Sequence, residues 1–157
     1  MTESGSDDTK DGARRPYLAY GSNLWTPQMA ERCPTAHPLG TMVVPGWRFR
    51  IIRAGWATVI PDTDSSDTRS VVYGLVWSLT AADEQALDGY EGVGEGEYVK
   101  ATWTLPHFGP TLVYIASDDA PGRPEPWYLE RIVRGATLAG FPDDYIADLN
   151  QWAIGAP

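Results

Sequence analysis

One cysteine and two histidines are all that 157 residues offer of the usual thiol and metal chemistry. Cys33 alone cannot close a disulfide within the chain, and His37 and His107 do not make up a compact set of metal ligands with it. Long apolar runs are also missing. The polar start over residues 1–15 mixes Glu3, Asp7, Asp8 and Asp11 with Lys10, Arg14 and Arg15, and holds nothing that would serve as a signal peptide or membrane anchor. A flexible tail over 1–15, a cytoplasmic location and no membrane partner are the expectations. Positive charge is scarce: 12 Lys and Arg stand against 21 Asp and Glu, for a net charge of −9. The resulting field repels phosphate backbones, and the basic residues form no stripe with interleaved aromatics, which argues against nucleic acid as a partner. Chemistry therefore falls to carboxylates, hydroxyls and the backbone.

What the chain does hold is enough apolar and aromatic surface, 43% hydrophobic residues with seven Trp and eight Tyr, for one packed domain over residues 16–157. Tyr17-Leu18-Ala19-Tyr20 reads as a strand, followed by a tight turn and a short helix capped by Asn23 or Thr26 and stopped near Cys33 by Pro34. Strand signals follow at residues 42–44 and 47–52, as two pieces or one broken strand around Pro45-Gly46, and again at 56–60. Residues 61–70 form a polar loop, and 71–79, apolar on both faces, are the expected central strand. Thr80 caps a helix over 81–90 with Ala82, Leu87 and Tyr90 facing inward. Strands at 97–105 and 111–116, joined by a hairpin loop at 106–110, precede two helices that begin near Trp127 and Pro142. Strands in the middle with helices towards both ends predict an α+β domain whose small mixed sheet is barrel-like.

Two stretches carry candidate chemistry. The turn Tyr20-Gly21-Ser22-Asn23 leaves backbone N–H groups unpaired ahead of a helix, where they favour a carboxylate or phosphate, and Gly21 lets a ligand approach the main chain. Glu91, within Asp88-Gly89-Tyr90-Glu91-Gly92-Val93, falls at the carboxyl end of the 81–90 helix. The negative end of the helix dipole and apolar neighbours both oppose its ionisation, and the raised proton affinity suits a general base near neutral pH. The plain alternative is an exposed Glu before a glycine turn.

Together these stretches resemble the gamma-glutamylcyclotransferase family and its AIG2-like relatives over residues 17–152. Tyr17-Leu18-Ala19-Tyr20-Gly21-Ser22-Asn23-Leu24 is similar to that family's first-strand signature, and Leu87-Asp88 with Glu91-Gly92-Val93 to its catalytic segment. Gly55-Trp56-Ala57-Thr58-Val59, Tyr73-Gly74-Leu75-Val76-Trp77 and the run from Tyr128 to Ala136 resemble further family segments in the same order. The resemblance implies release of 5-oxoproline from a gamma-glutamyl compound by attack of the substrate's own α-amine on its γ-carbonyl. Glu91 would be the catalytic acid/base. Residues Tyr17, Leu18, Ala19, Tyr20, Gly21, Ser22 and Asn23, with the pocket tyrosines Tyr98, Tyr114 and Tyr128, would bind the substrate. It implies no metal or other cofactor, and allows a homodimer. Asn23 after Ser22 leans towards gamma-glutamyl amino acids as substrates. Trp56, His107, Trp127 and the 61–70 loop are candidates for the pocket mouth.

Rival chemistries fit less well. Ser22 as a hydrolase nucleophile lacks the flanking glycines, since Tyr20 and Leu24 occupy those places. Cys33 and His37 are separated by helix-breaking Pro34. Gly92, Gly94 and Gly96 alternate with Glu91, Glu95 and Glu97, which repel phosphate. The alternative from another class is a non-catalytic member of the fold that binds a small anionic metabolite at residues 20–23. A pure binder has no need of a carboxylate facing that turn.

Overall fold

The computed structural model describes residues 13–62 and 70–156. Most of the expected tail, and all but the ends of the expected 61–70 loop, lie outside the described residues. Described from Ala13 onward, the chain enters β1 (Arg15–Ala19), makes one turn of 3-10 helix at Ser22–Leu24, and forms α1 (Thr26–Arg32). There follow β2 (His37–Pro45), β3 (Trp47–Ile51), β4 (Ala57–Pro61), β5 (Val71–Leu79) and α2 (Ala81–Tyr90). The hairpin β6 (Tyr98–Leu105) and β7 (Gly109–Ala116) leads to α3 (Pro126–Leu138) and α4 (Asp143–Gln151).

The strands form a five-stranded mixed sheet in the order β2-β5-β1-β7-β6 and a separate two-stranded sheet, β3-β4. The class is α+β, and the sheet is open and not a closed barrel. β5 is an interior strand, paired with β2 and β1, but the middle position belongs to β1. β1 runs antiparallel to β5 and parallel to β7, where Tyr17 meets Leu112. The break at Pro45-Gly46 separates two strands in different sheets, because Gly46 adopts φ +85° and redirects the chain.

Two close approaches set the position of the β1–α1 connection. A Cβ on Gly135 would overlap the backbone and side chain of Leu24, so α3 rests directly on the 3-10 turn. A Cβ on Gly74 would overlap Leu18, whose side chain is fully buried under β5. The small sheet is tied to the large one where the Ala116 N–H donates to the Thr58 hydroxyl at 2.9 Å.

α2 begins with a reciprocal capping box between Thr80 and Asp83. This box, with a hydrogen bond from the Thr35 hydroxyl at 2.7 Å, explains why Asp83 is buried. Leu87 is buried as expected, but Ala82 and Tyr90 are exposed: the inner face of α2 runs through Asp83 and Leu87. In α4 the apolar face ends on buried Trp152, and Ala153 is exposed.

Candidate active site

β1, the 3-10 turn, β4, the end of α2, β6, β7 and α3 converge on one polar cavity. It is lined by Tyr17, Tyr20, Gly21, Ser22 and Asn23, by Ala57 and Glu91, and by Tyr98, Tyr114 and Tyr128. The cavity holds about 30 Å³. Of the ten expected binding residues, eight meet here with Glu91. Leu18 and Ala19 do not: the strand pleat turns Leu18 to the opposite face against Gly74, and Ala19 is buried in the core.

The turn at residues 21–23 is built differently from the expected tight turn. Gly21 precedes a single 3-10 turn closed by Leu24 N–H to Gly21 O at 3.0 Å and Trp25 N–H to Ser22 O at 3.1 Å. The N–H groups of Gly21, Ser22 and Asn23 have no acceptor among the described residues. Neither Asn23 nor Thr26 caps α1: Trp25 holds the cap position, and Pro27 sits in the first turn. Asn23 is used instead as a strut. Its amide donates to the Tyr17 hydroxyl at 2.9 Å, while its oxygen accepts from Gln28 at 2.8 Å and Arg32 at 3.2 Å.

Buried Gln28, with no distinguishing signal in the sequence, is the hub of this arrangement. Its oxygen accepts from Arg131 of α3 at 2.9 Å, and its amide donates to Asn23 and, at 2.8 Å, to Ser22. The Ser22 hydroxyl, having accepted from Gln28, faces the same cavity as Tyr128. Tyr128 also accepts the Ala57 N–H at 2.9 Å, and Tyr98 donates to the Ala57 carbonyl at 2.5 Å. Tyr20 donates to the Tyr114 carbonyl at 2.5 Å, and Tyr114 donates to Asp88 at 2.7 Å. The hydroxyl protons of Tyr20, Tyr98 and Tyr114 are thus committed to protein acceptors. Tyr17, which accepts from Asn23, and Tyr128 keep theirs for a ligand. Burial pushes the phenols up, Tyr128 to about 12, so all are neutral donors at pH 7.

Glu91 caps the carboxyl end of α2, its N–H bonded to Leu87 O at 2.8 Å. Gly92 then takes the left-handed φ of +62° that turns the chain away, where a Cβ would run into Glu97. Burial raises the Glu91 carboxyl from 4.5 to about 7, opposed by the Arg32 guanidinium and reinforced by the charge of Glu97. No hydrogen-bond donor among the described residues is seated on this carboxylate, so it can exchange protons with a ligand.

From this cavity an outer cleft opens past Ser22, Glu91, Tyr98 and Tyr128, bordered by Gln28, Arg32, Trp56, Tyr90, Glu97 and Trp127. His107 is not at this mouth. It occupies the exposed β6–β7 turn, with φ +69°. Cys33 is buried, its thiol pushed up to about 12 by burial, with Asp83 adding to the rise. No helix among the described residues is long and apolar enough to cross a membrane.

Residues 71–149 match the sequence profile of the AIG2-like family. A gamma-glutamylcyclotransferase of Bos taurus is 27% identical over 167 aligned positions, covering 96% of this chain and 86% of that protein. A gamma-glutamyl cyclotransferase of Aspergillus oryzae is also 27% identical, over 86% of this chain and 60% of its own length. The fold is shared with a solved gamma-glutamyl cyclotransferase: the TM-score is 0.72 at 23% identity, over 87% of this chain and 86% of the other.

Proposed function

The chain belongs to the AIG2-like family, and on that premise we propose that it is a gamma-glutamyl cyclotransferase, releasing 5-oxoproline and a free amine or amino acid from a gamma-glutamyl compound. One observation carries the reading. A carboxyl group held near pH 7 at Glu91 shares a small cavity with three open backbone N–H groups at Gly21, Ser22 and Asn23. The names of the bovine and fungal relatives support it.

The N–H groups at residues 21–23 receive the substrate's α-carboxylate. The uncommitted Tyr17 and Tyr128 protons are then left for the oxygen of the γ-carbonyl. Glu91, as carboxylate, takes a proton from the α-ammonium. The freed amine forms a bond to the γ-carbon, and the carbonyl electron pair moves onto oxygen, where the hydroxyl donors stabilise it. When the intermediate collapses, the bond to the leaving nitrogen breaks and Glu91, now a carboxylic acid, returns the proton to it; the regenerated carboxylate then passes the second proton of the ring nitrogen to the departing amine, which leaves as an ammonium and the lactam as a neutral ring. Ring closure is intramolecular, so holding the glutamyl chain folded lowers the barrier by several kcal/mol, on the order of 7 to 11 in the best-oriented cases.

The experiment is a panel of gamma-glutamyl amino acids, gamma-glutamyl amines and glutathione scored for 5-oxoproline. Turnover of at least one compound is expected. Binding with no turnover across the panel would replace this reading with the non-catalytic one.

A further inference from the structure

Three large aromatic side chains stand at the mouth of the site with much of their surface in water. Trp56 is 39% exposed, Trp127 48% and Tyr90 56%. Trp56 and Trp127 meet edge to face at 6.5 Å, and each also meets Tyr128, at 5.0 Å and 5.8 Å, so the aromatic wall continues from the cleft into the inner cavity. The cleft they border holds about 120 Å³ against about 30 Å³ in the inner cavity, and the two share Ser22, Glu91, Tyr98 and Tyr128. Whatever departs from the γ-carbon must lie on this side, because the leaving nitrogen has to reach Glu91.

The cation at the same place narrows the chemistry. The Arg32 guanidinium stacks over the Tyr90 ring at 4.4 Å, gives one hydrogen bond to Asn23, and borders the cleft beside Glu91. In an α-amino acid the carboxylate is one carbon from the amino nitrogen. A leaving amino acid whose nitrogen faces Glu91 therefore brings its carboxylate towards Arg32, and its side chain branches from the same carbon towards the tryptophans.

We propose that the outer cleft is a leaving-group subsite for an aromatic amino acid, its ring against Trp56 and Trp127 and its carboxylate on Arg32. This rests on the cavity being a gamma-glutamyl cyclisation site. A ring placed on that wall gains an aromatic contact as well as burial, so the preference over a methyl side chain is about tenfold or more in kcat/KM.

The test compares 5-oxoproline release from gamma-glutamyl-phenylalanine, gamma-glutamyl-alanine and gamma-glutamyl-phenethylamine, the last keeping the ring but lacking the carboxylate. The phenylalanine compound is expected to exceed both others by about tenfold. Trp127→Leu is expected to bring the phenylalanine-to-alanine ratio towards one, and Trp127→Phe, which keeps a ring, to retain it. Equal wild-type rates for the phenylalanine and alanine compounds would overturn the subsite while leaving the parent reading intact. Equal rates with phenethylamine would remove Arg32 from it. No turnover of any of the three, with none across the wider panel, would overturn both.

Discussion

Tyr128 accepts the Ala57 N–H at 2.9 Å, so the residue that faces the substrate cavity also holds the edge of the small β3–β4 sheet in place. Tyr98 grips the other polar atom of Ala57 at 2.5 Å. The two hydroxyls are alike in burial but not in what they have left to give. The Tyr98 proton is spent on a carbonyl, whereas Tyr128 receives a bond from the Ala57 N–H and keeps its proton for a ligand.

Tyr128→Phe and Tyr98→Phe are therefore expected to separate stability from activity. Each leaves one Ala57 backbone group unpaired, at a cost of about 1–3 kcal/mol in denaturant unfolding. Only Tyr128→Phe is expected to lower kcat for 5-oxoproline release by about 100-fold, the scale of losing one donor to a developing oxyanion. Equal kcat losses in the two variants would show that Tyr128 has no special place in the reaction.

Gln28→Ala removes the hub between α3 and the turn at residues 21–23. Ser22, Asn23 and Arg131 each lose a partner, so the loss of stability is about 2–3 kcal/mol, with activity falling as the turn loosens. Urea denaturation measures the first and 5-oxoproline release the second. A change in unfolding free energy below about 0.5 kcal/mol would mean that packing of α3 alone holds the turn.

The raised Glu91 carboxyl makes a prediction about stability as well as rate. Between its unfolded value of 4.5 and its folded value of about 7, the folded state binds more protons than the unfolded state, so stability is lost as pH rises through that window. Glu91→Gln removes this penalty. The variant is expected to match wild type near pH 4.5 and to exceed it by about 2–3 kcal/mol above pH 7. Denaturant unfolding across this range checks it, and a gap that stays constant with pH would mean that Glu91 ionises as an ordinary surface carboxylate. The same group sets the acid limb of activity, with kcat/KM falling about tenfold per pH unit below about 7.

The parts of the site carried by contiguous sequence were legible. The run Tyr17-Leu18-Ala19-Tyr20 followed by Gly21 is a strand that ends in a turn, and Glu91 is fixed by the capping box of Thr80 and Asp83 eleven and eight residues earlier. Strand β5 and helix α2 were readable for the same reason: Val71–Leu79 is apolar throughout, and Thr80 is a cap. What stayed hidden depends on long-range contact. Gln28 looks like any polar residue in a short helix until Arg131, 103 positions away, reaches it. Ala57 has no chemistry of its own and matters because Tyr98 and Tyr128 arrive from β6 and α3. Leu18 shares the motif of the site but not its face, because register against β5 turns it towards Gly74. Tyr90 reads as core by helical spacing, yet it stands outside under Arg32.

The central claim is that Glu91 moves the proton, and the most direct measurement is 5-oxoproline release by Glu91→Gln against wild type on a compound that wild type turns over, with ligand binding measured on the same samples. Glutamine keeps the shape of the side chain but cannot take up the proton of the α-ammonium. The account predicts a folded variant that still binds the compound while release falls by about 100- to 10,000-fold. A folded Glu91→Gln protein that releases 5-oxoproline at the wild-type rate would contradict it.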